Sequence, residues 1–405
     1  MRVLLVSQYY APEIGAPQAR LSAMVRELVR RGHEVQVLTA LPNYPTGRIF
    51  DDYRGKVVTS EARDGAEVVR VWVHAALGAG WHRLLNYLSF VVMPLVALRR
   101  IRRADLVLVE SPPLFAMIPG LLLTRLRGGR AVMLIADLWP ESAIELGLLR
   151  EGRLANLLRR LERWSYRRCW RLSPVTEAQI EDLVGSKGVA RERIVFLPNG
   201  VDTELYSPGP ADDDVLRLLG GDDRWTVLYA GNHGYMHGLD VALDAAHLVR
   251  EREPRVRFVF VGDGSDKARL QKRARDEGLD NVVFFDPRPP EDIARWYRTA
   301  DAALVTLSTG ELFRGARPAK TFPAMATGLP ILFAGEGEGA ELVERAGAGI
   351  VTPPGDPEAL AAAVCRLARD PAAAAAMGER GRRLCEERFS WPALVEGWLA
   401  QLGSP

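Results

Sequence analysis

Short apolar runs, too short to be helices, alternate with longer amphipathic stretches, and the pattern occurs twice along the chain. This alternation constrains the fold more than any other feature. Arg2–Val6 is apolar and rich in strand formers, and the turn residues Pro12, Gly15 and Pro17 follow it. From Gln18 the apolar residues Leu21, Met24, Val25 and Leu28 recur at helical spacing, Gly32 stops the helix, and Val35–Leu38 starts a new strand. Val68–Val73, Leu106–Val109 and Val132–Ile135 continue the series. After a turn-rich stretch (Pro198, Gly200, Pro208, Gly209, Pro210) it restarts with Thr226–Ala230, Arg257–Val261, Val282–Phe285, Ala302–Val305 and Ile331–Phe333. Strands alternating with helices predict parallel sheets covered on both faces. Two doubly wound Rossmann-like α/β domains facing across a cleft are expected, residues 1–205 and 206–387, with a C-terminal helix near 388–405 packing back on the first. Ala359–Ala376 reads as helix.

At 405 residues with 26% charged side chains the chain is long enough for two cores and too ordinary in composition to be disordered. Its three cysteines are far apart and fit neither a disulfide framework nor a zinc site. The first apolar run is too short for a secretory segment, so a cytoplasmic protein is expected. The net charge of +2 conceals an asymmetry: residues 1–200 carry 29 Lys+Arg against 19 Asp+Glu, and residues 201–405 carry 24 against 32. The two halves should meet different partners.

The motifs lie at strand ends. Gly231-Asn232-His233-Gly234-Tyr235-Met236-His237-Gly238 follows one strand and precedes a helix, a turn whose backbone N–H groups can approach a phosphate. Val261-Gly262-Asp263-Gly264 follows the next strand. Alone each is a weak signal. With Pro198-Asn199-Gly200-Val201-Asp202, Pro318-Ala319-Lys320 and Ala324-Met325-Ala326-Thr327-Gly328-Leu329-Pro330, their order resembles the retaining GT-B glycosyltransferases of family 4. Pro12-Glu13-Ile14-Gly15 resembles that family's first-domain loop. Asp137-Leu138-Trp139-Pro140-Glu141-Ser142 is similar to the branch building bacterial surface polysaccharides, including N-acetyl-L-fucosamine transferase-like members.

The resemblance implies a nucleotide-sugar co-substrate, UDP favoured, held mainly by the second domain. It implies a lipid-linked or glycan acceptor held mainly by the first, with no metal and no other cofactor. Donor-side residues would be Gly231, Asn232, His237, Asp263, Gly264, Arg317 and Lys320, and the acceptor-side loop Glu13, Gly15 and Ala16. Lys320, Asp137 and Glu311 are the catalytic candidates: a phosphate contact, a carboxylate at a strand end, and a carboxylate for a sugar or ribose hydroxyl. Asp137 also reads as a helix cap, and Asp263 likewise.

The chain departs from the family pattern. Asn232 and His237 stand where the family has Arg and Lys, while Gly315 and Pro323 stand where it has paired glutamates. The phosphate cation must then come from Lys320, with Arg317 second. A catalytically inactive partner subunit and a transferase acting on a soluble or glycolipid acceptor are the alternatives. Residues 81–103 hold about 15 apolar positions ending in Arg99, Arg100, Arg102 and Arg103, too short to span a bilayer but suited to an anionic membrane surface. Peripheral association with the inner face of the cell membrane is expected, and no nucleic acid partner.

Overall fold

The computed structural model describes residues 1–403 except 79, 146, 148, 222 and 223, and their side chains except those of Ala16, Glu145, Glu311 and Leu312. It divides into two compact units, Met1–Pro198 with Leu394–Pro405, and Asn199–Ala393. The division falls at Pro198/Asn199 rather than near 205, and the return at Leu394 rather than 388. Backbone pairing explains the difference: Val201 bridges to Ser390 and donates its N–H to the Phe389 carbonyl at 2.9 Å, which binds both segments to the second unit.

Unit 1 contains strands β1 (Arg2–Val6), β2 (Glu34–Ala40), β3 (Val58–Arg63), β4 (Ala66–Val71), β5 (Leu106–Ser111), β6 (Arg130–Ile135) and β7 (Arg171–Pro174). Among the described residues they form one sheet in the order β3-β4-β2-β1-β5-β6-β7, parallel except for β3. Helices α1 (Ala16–Arg30), α2 (Trp81–Val96) and α3 (Met117–Arg127) are three of its connections. The closing helix Trp391–Leu402 brings the fully buried Trp398 to this unit, where its indole N–H donates to Ser173 Oγ at 2.9 Å.

Unit 2 contains β8 (Trp225–Ala230), β9 (Val256–Val261), β10 (Val282–Phe285), β11 (Ala302–Thr306), β12 (Ile331–Ala334) and β13 (Gly349–Thr352), all parallel, in the order β10-β9-β8-β11-β12-β13. Period-two alternation builds its two cores. Val227 and Tyr229 of β8 join the cluster on one face of the sheet, and Leu228 and Ala230 the cluster on the other. The Ala-rich stretch is two helices, Pro357–Arg369 and Pro371–Leu384, because Asp370 caps the second and Pro371 lacks the N–H to continue the first. Strand order reverses at β1/β5 in unit 1 and at β8/β11 in unit 2, and in such sheets ligands bind outside the strands' carboxyl ends at the reversal.

Candidate functional site

At the unit 2 reversal the loop after β8 is held by the loop after β11. Ser308 Oγ donates to the Tyr235 carbonyl at 2.6 Å, and the Ser308 N–H donates to the Met236 carbonyl at 3.0 Å. The loop after β9 closes from the other side. A Cβ on Gly262 (φ 151°) would lie 1.9 Å from the Gly231 carbonyl oxygen, and one on Gly264 (φ 159°) 2.5 Å from that of His233. Glycine is therefore required here so that two backbones can touch, whatever else the loops bind. Lys267, buried below them, donates to the Gly262 carbonyl at 2.9 Å and the Phe285 carbonyl at 3.1 Å, and pairs with Asp286 at 2.8 Å.

Lys320 precedes the helix Thr321–Ala326 and sends its ammonium under this loop. A Cβ on Gly231 would lie 3.2 Å from Nζ. The ammonium donates to the Tyr229 hydroxyl and lies 3.7 Å from the centre of that ring, while the hydroxyl donates onward to the Asn232 carbonyl at 2.6 Å. The residue is part-buried over its length, but its charged end is enclosed, and burial pushes its pKa well below the ordinary lysine range. It has no carboxylate partner among the described residues. With no carboxylate to neutralise it, this lysine is left to an incoming anion, whose charge would offset the burial and favour the ammonium form.

The other donor-side candidates divide. Asn232 is exposed, with its amide beside Gly264. His237 is part-buried and held down to about 3 by burial and then by Lys320, so its imidazole is neutral and Nδ1 has no partner. Asp263 is exposed and accepts from the Gly264 N–H at 2.9 Å. The next helix is preceded by Asp266, so Asp263 is not its cap. Arg317 forms a buried ion pair with Glu338, which engages its charge inside the unit. Glu311 starts the short helix Glu311–Arg314, and its side chain lies outside those described. Pro323 is the third residue of its helix, where the missing N–H costs no helical bond, and its carbonyl accepts from the Thr327 N–H at 3.0 Å.

In unit 1, Glu13 is buried and clamps backbone. It accepts from the N–H groups of Asn43 (2.8 Å), Tyr44 (2.9 Å) and Tyr10 (3.2 Å), so its carboxylate shapes the loop after β1. Gly15 precedes α1 in extended backbone open to any residue, and Ala16 starts α1 with its side chain outside those described. Asp137 is exposed, two residues beyond β6 and four before the helix Glu141–Glu145, too early to be its cap. The protein packed around it raises its carboxyl pKa above the ordinary aspartate value, and hydrogen bonds from Ser142 and the Leu138 N–H offset only part of that rise. Among the described residues no three His, Cys, Asp or Glu side chains are placed to hold a metal ion.

Residues 15–200 match the glycosyl transferase 4-like domain and residues 224–370 the glycosyl transferases group 1 family. WcaI of Escherichia coli K12, a glycosyl transferase named for colanic acid biosynthesis, is 32% identical over 321 residues, covering 76% of this chain and 77% of that protein. The chain belongs to the group 1, GT4-like glycosyltransferases. The glycosyltransferase WbjE of Pseudomonas aeruginosa is 30% identical to this transferase over 267 residues, 65% of this chain and 66% of WbjE. In fold, the chain resembles Anabaena HepE solved with UDP-glucose, with a TM-score of 0.73 over the whole of both chains at 18% identity. The two Rossmann-like domains are thus those of a GT-B transferase.

Tyr229 and His233 were not legible as site residues. Tyr229 sits inside an apolar strand run and reads as core. His233 is fully buried among Tyr229, Phe260 and Phe284 with neither ring nitrogen hydrogen-bonded, and burial holds it down to about 4. The unfolded chain binds a proton below about 6.5 that the folded chain refuses until about 4, so this stability is present above pH 6.5 and lost as pH falls through 4. At pH 5 the loss relative to pH 8 is about 2 kcal/mol. His233→Phe should flatten the acid limb of unit 2 stability by that amount in urea titrations at the two pH values. Identical acid limbs would show that the histidine is not held neutral.

Proposed function

We propose that this transferase moves a hexose or N-acetylated deoxyhexose, with retention at the anomeric carbon, from a nucleoside diphosphate onto a lipid-linked or growing surface-polysaccharide acceptor. UDP is the favoured carrier. The observation that carries the reading is the buried ammonium of Lys320, without a carboxylate, at the strand-order reversal of unit 2. As the bond from the anomeric carbon to the diphosphate breaks, the sugar gains positive and the diphosphate negative charge. Lys320 meets that negative charge, with the amide of Asn232 beside it. The neutral imidazole of His237 serves as a hydrogen-bond partner rather than a cation. Unit 2 is the donor side in this reading, and Glu311 takes a donor hydroxyl. Unit 1 is the acceptor side, where Asp137 orients the acceptor hydroxyl, Glu13 shapes the loop after β1, and Gly15 leads from that loop into α1 at Ala16. No metal is assigned to the step. Support for the acceptor class comes from the likeness to WcaI, and support for UDP from the likeness to HepE. The place of action is the inner face of the cell membrane.

A second reading, an inactive partner subunit, is favoured by Pro323 and by the neutral His237 where the pattern asks for a glutamate and a lysine. A thermal-shift screen against UDP-, GDP-, ADP- and dTDP-sugars decides between them. At about 100 times its Kd the right donor should stabilise the protein by roughly 2.7 kcal/mol. No stabilisation by any of the four would favour the inactive subunit.

A further inference from the structure

Helix α2 exposes the side that a sheet-covering helix would normally bury. Its buried residues are Asn86, Phe90 and Pro94. Asn86 accepts from Gln8 Nε2 at 2.6 Å and donates to the His74 carbonyl at 2.8 Å, which fixes the helix's rotation. Its solvent side carries Trp81 (65% exposed), Leu84, Leu88, Val92 (58%), Leu95 and Val96 (59%). Steps of three and four place these on one stripe, about 22 Å long at 1.5 Å per residue. Leu122 and Leu126 of α3, packed beside α2, are exposed as well. An apolar surface of this extent marks a contact with something.

The stripe has direction. α2 starts from the carboxyl edge of the unit 1 sheet, after β4, where Arg83 lies over the rings of Tyr9 and Tyr87 at 5.8 and 4.8 Å. It ends at the amino edge, before β5, in the exposed Arg99, Arg100, Arg102 and Arg103. There a hollow of about 720 Å³ is lined by Arg2, Arg103, Asp105, Leu126, Arg127 and Arg130. Asp105, its only carboxylate, is paired with Arg2 at 2.6 Å, so the hollow carries excess positive charge. No acidic residue occurs between Glu67 and Asp105 or between Glu110 and Asp137. The carboxylates that do lie at this edge are engaged, Glu67 with Arg102 at 2.8 Å and Asp105 with Arg2, so a second copy of this positively charged surface would mostly repel it, whereas an anionic bilayer would attract it.

We infer that this face of unit 1 beds on an anionic lipid bilayer. α2 lies in the interface plane with its stripe among the acyl chains, and the arginine-lined hollow takes a lipid phosphate. No helix among the described residues is long and apolar enough to cross a membrane, and α2 does not need to. The inference builds on the reading that the acceptor is lipid-linked, and it gives that reading a geometry: one end of the anchored helix lies beside the loop after β1.

The test uses the full chain in flotation with phosphatidylcholine vesicles, with and without phosphatidylglycerol. Binding should require phosphatidylglycerol. The exposed triple variant Leu84→Gln, Leu88→Gln, Val92→Gln should weaken it by more than about tenfold, and Arg99→Gln and Arg103→Gln by about fivefold each. Inorganic phosphate alone should neither raise the melting temperature nor compete with vesicles; if it does both, the hollow is a site for free phosphate and the lipid assignment fails. Equal binding to both vesicle types, a triple variant that binds like wild type, or stripe-dependent dimers in sedimentation would each overturn the inference. UDP affinity, measured in parallel, separates this from the donor reading. A protein that binds UDP but ignores vesicles loses the membrane face alone.

Discussion

Lys320→Met should lower kcat at least about 100-fold while leaving the melting temperature unchanged or higher. The two halves of this expectation have one cause. The ammonium sits under the Gly231 loop against the Tyr229 ring and hydroxyl, with no carboxylate to compensate its burial. Its folded pKa lies well below the unfolded value, so between the two the unfolded chain binds more protons and the charged lysine costs stability at neutral pH. Methionine fills the space without that cost. The diphosphate meanwhile loses its main countercharge in the transition state, an effect of the size seen when a preorganised electrostatic donor is removed. A kcat within about threefold of wild type would remove Lys320 from the chemistry. An activity loss matched by a falling melting temperature would make it a structural residue.

Glu110→Ala should cost unit 1 about 3–5 kcal/mol, the largest stability effect we expect of a single substitution outside the loops. Glu110 is the last residue but one of β5, and Arg20 rises from α1. Both are buried, and Arg20 Nη2 meets the two carboxylate oxygens at 2.5 and 2.6 Å. Burial pushes the carboxyl pKa up and the guanidinium pulls it back. Removing one partner strands the other charge away from water. Removing both is far milder, so the double variant Arg20→Met, Glu110→Leu should recover most of the loss in denaturant titration. A single variant costing under about 1 kcal/mol would show that water reaches the pair.

The strands that were legible are short apolar-rich runs, such as Leu106–Val109 in the buried β5 and Val282–Phe285 in the part-buried edge strand β10. β3, β7 and β13 were not. β3 is an antiparallel edge with alternating polar residues, β7 is the four-residue Arg171–Pro174, and β13 begins on a glycine. Their strand character comes from a neighbour's hydrogen bonds, which local composition does not carry. In the site, Lys320 was legible because it closes a spaced motif. Glu13 and Arg317 were not distinguishable from ligand-facing groups, because their partners, Asn43 and Tyr44 for one and Glu338 for the other, come from separate loops. Tyr229 was hidden for the opposite reason: its hydroxyl emerges at the end of a core strand.

The central claim is that Lys320 holds the diphosphate of the donor. Titration calorimetry of UDP against wild type and Lys320→Met tests it most directly. Wild type should show a saturable site, and the variant at least about tenfold weaker binding, equal to about 1.4 kcal/mol. Equal affinities in the two proteins would contradict it.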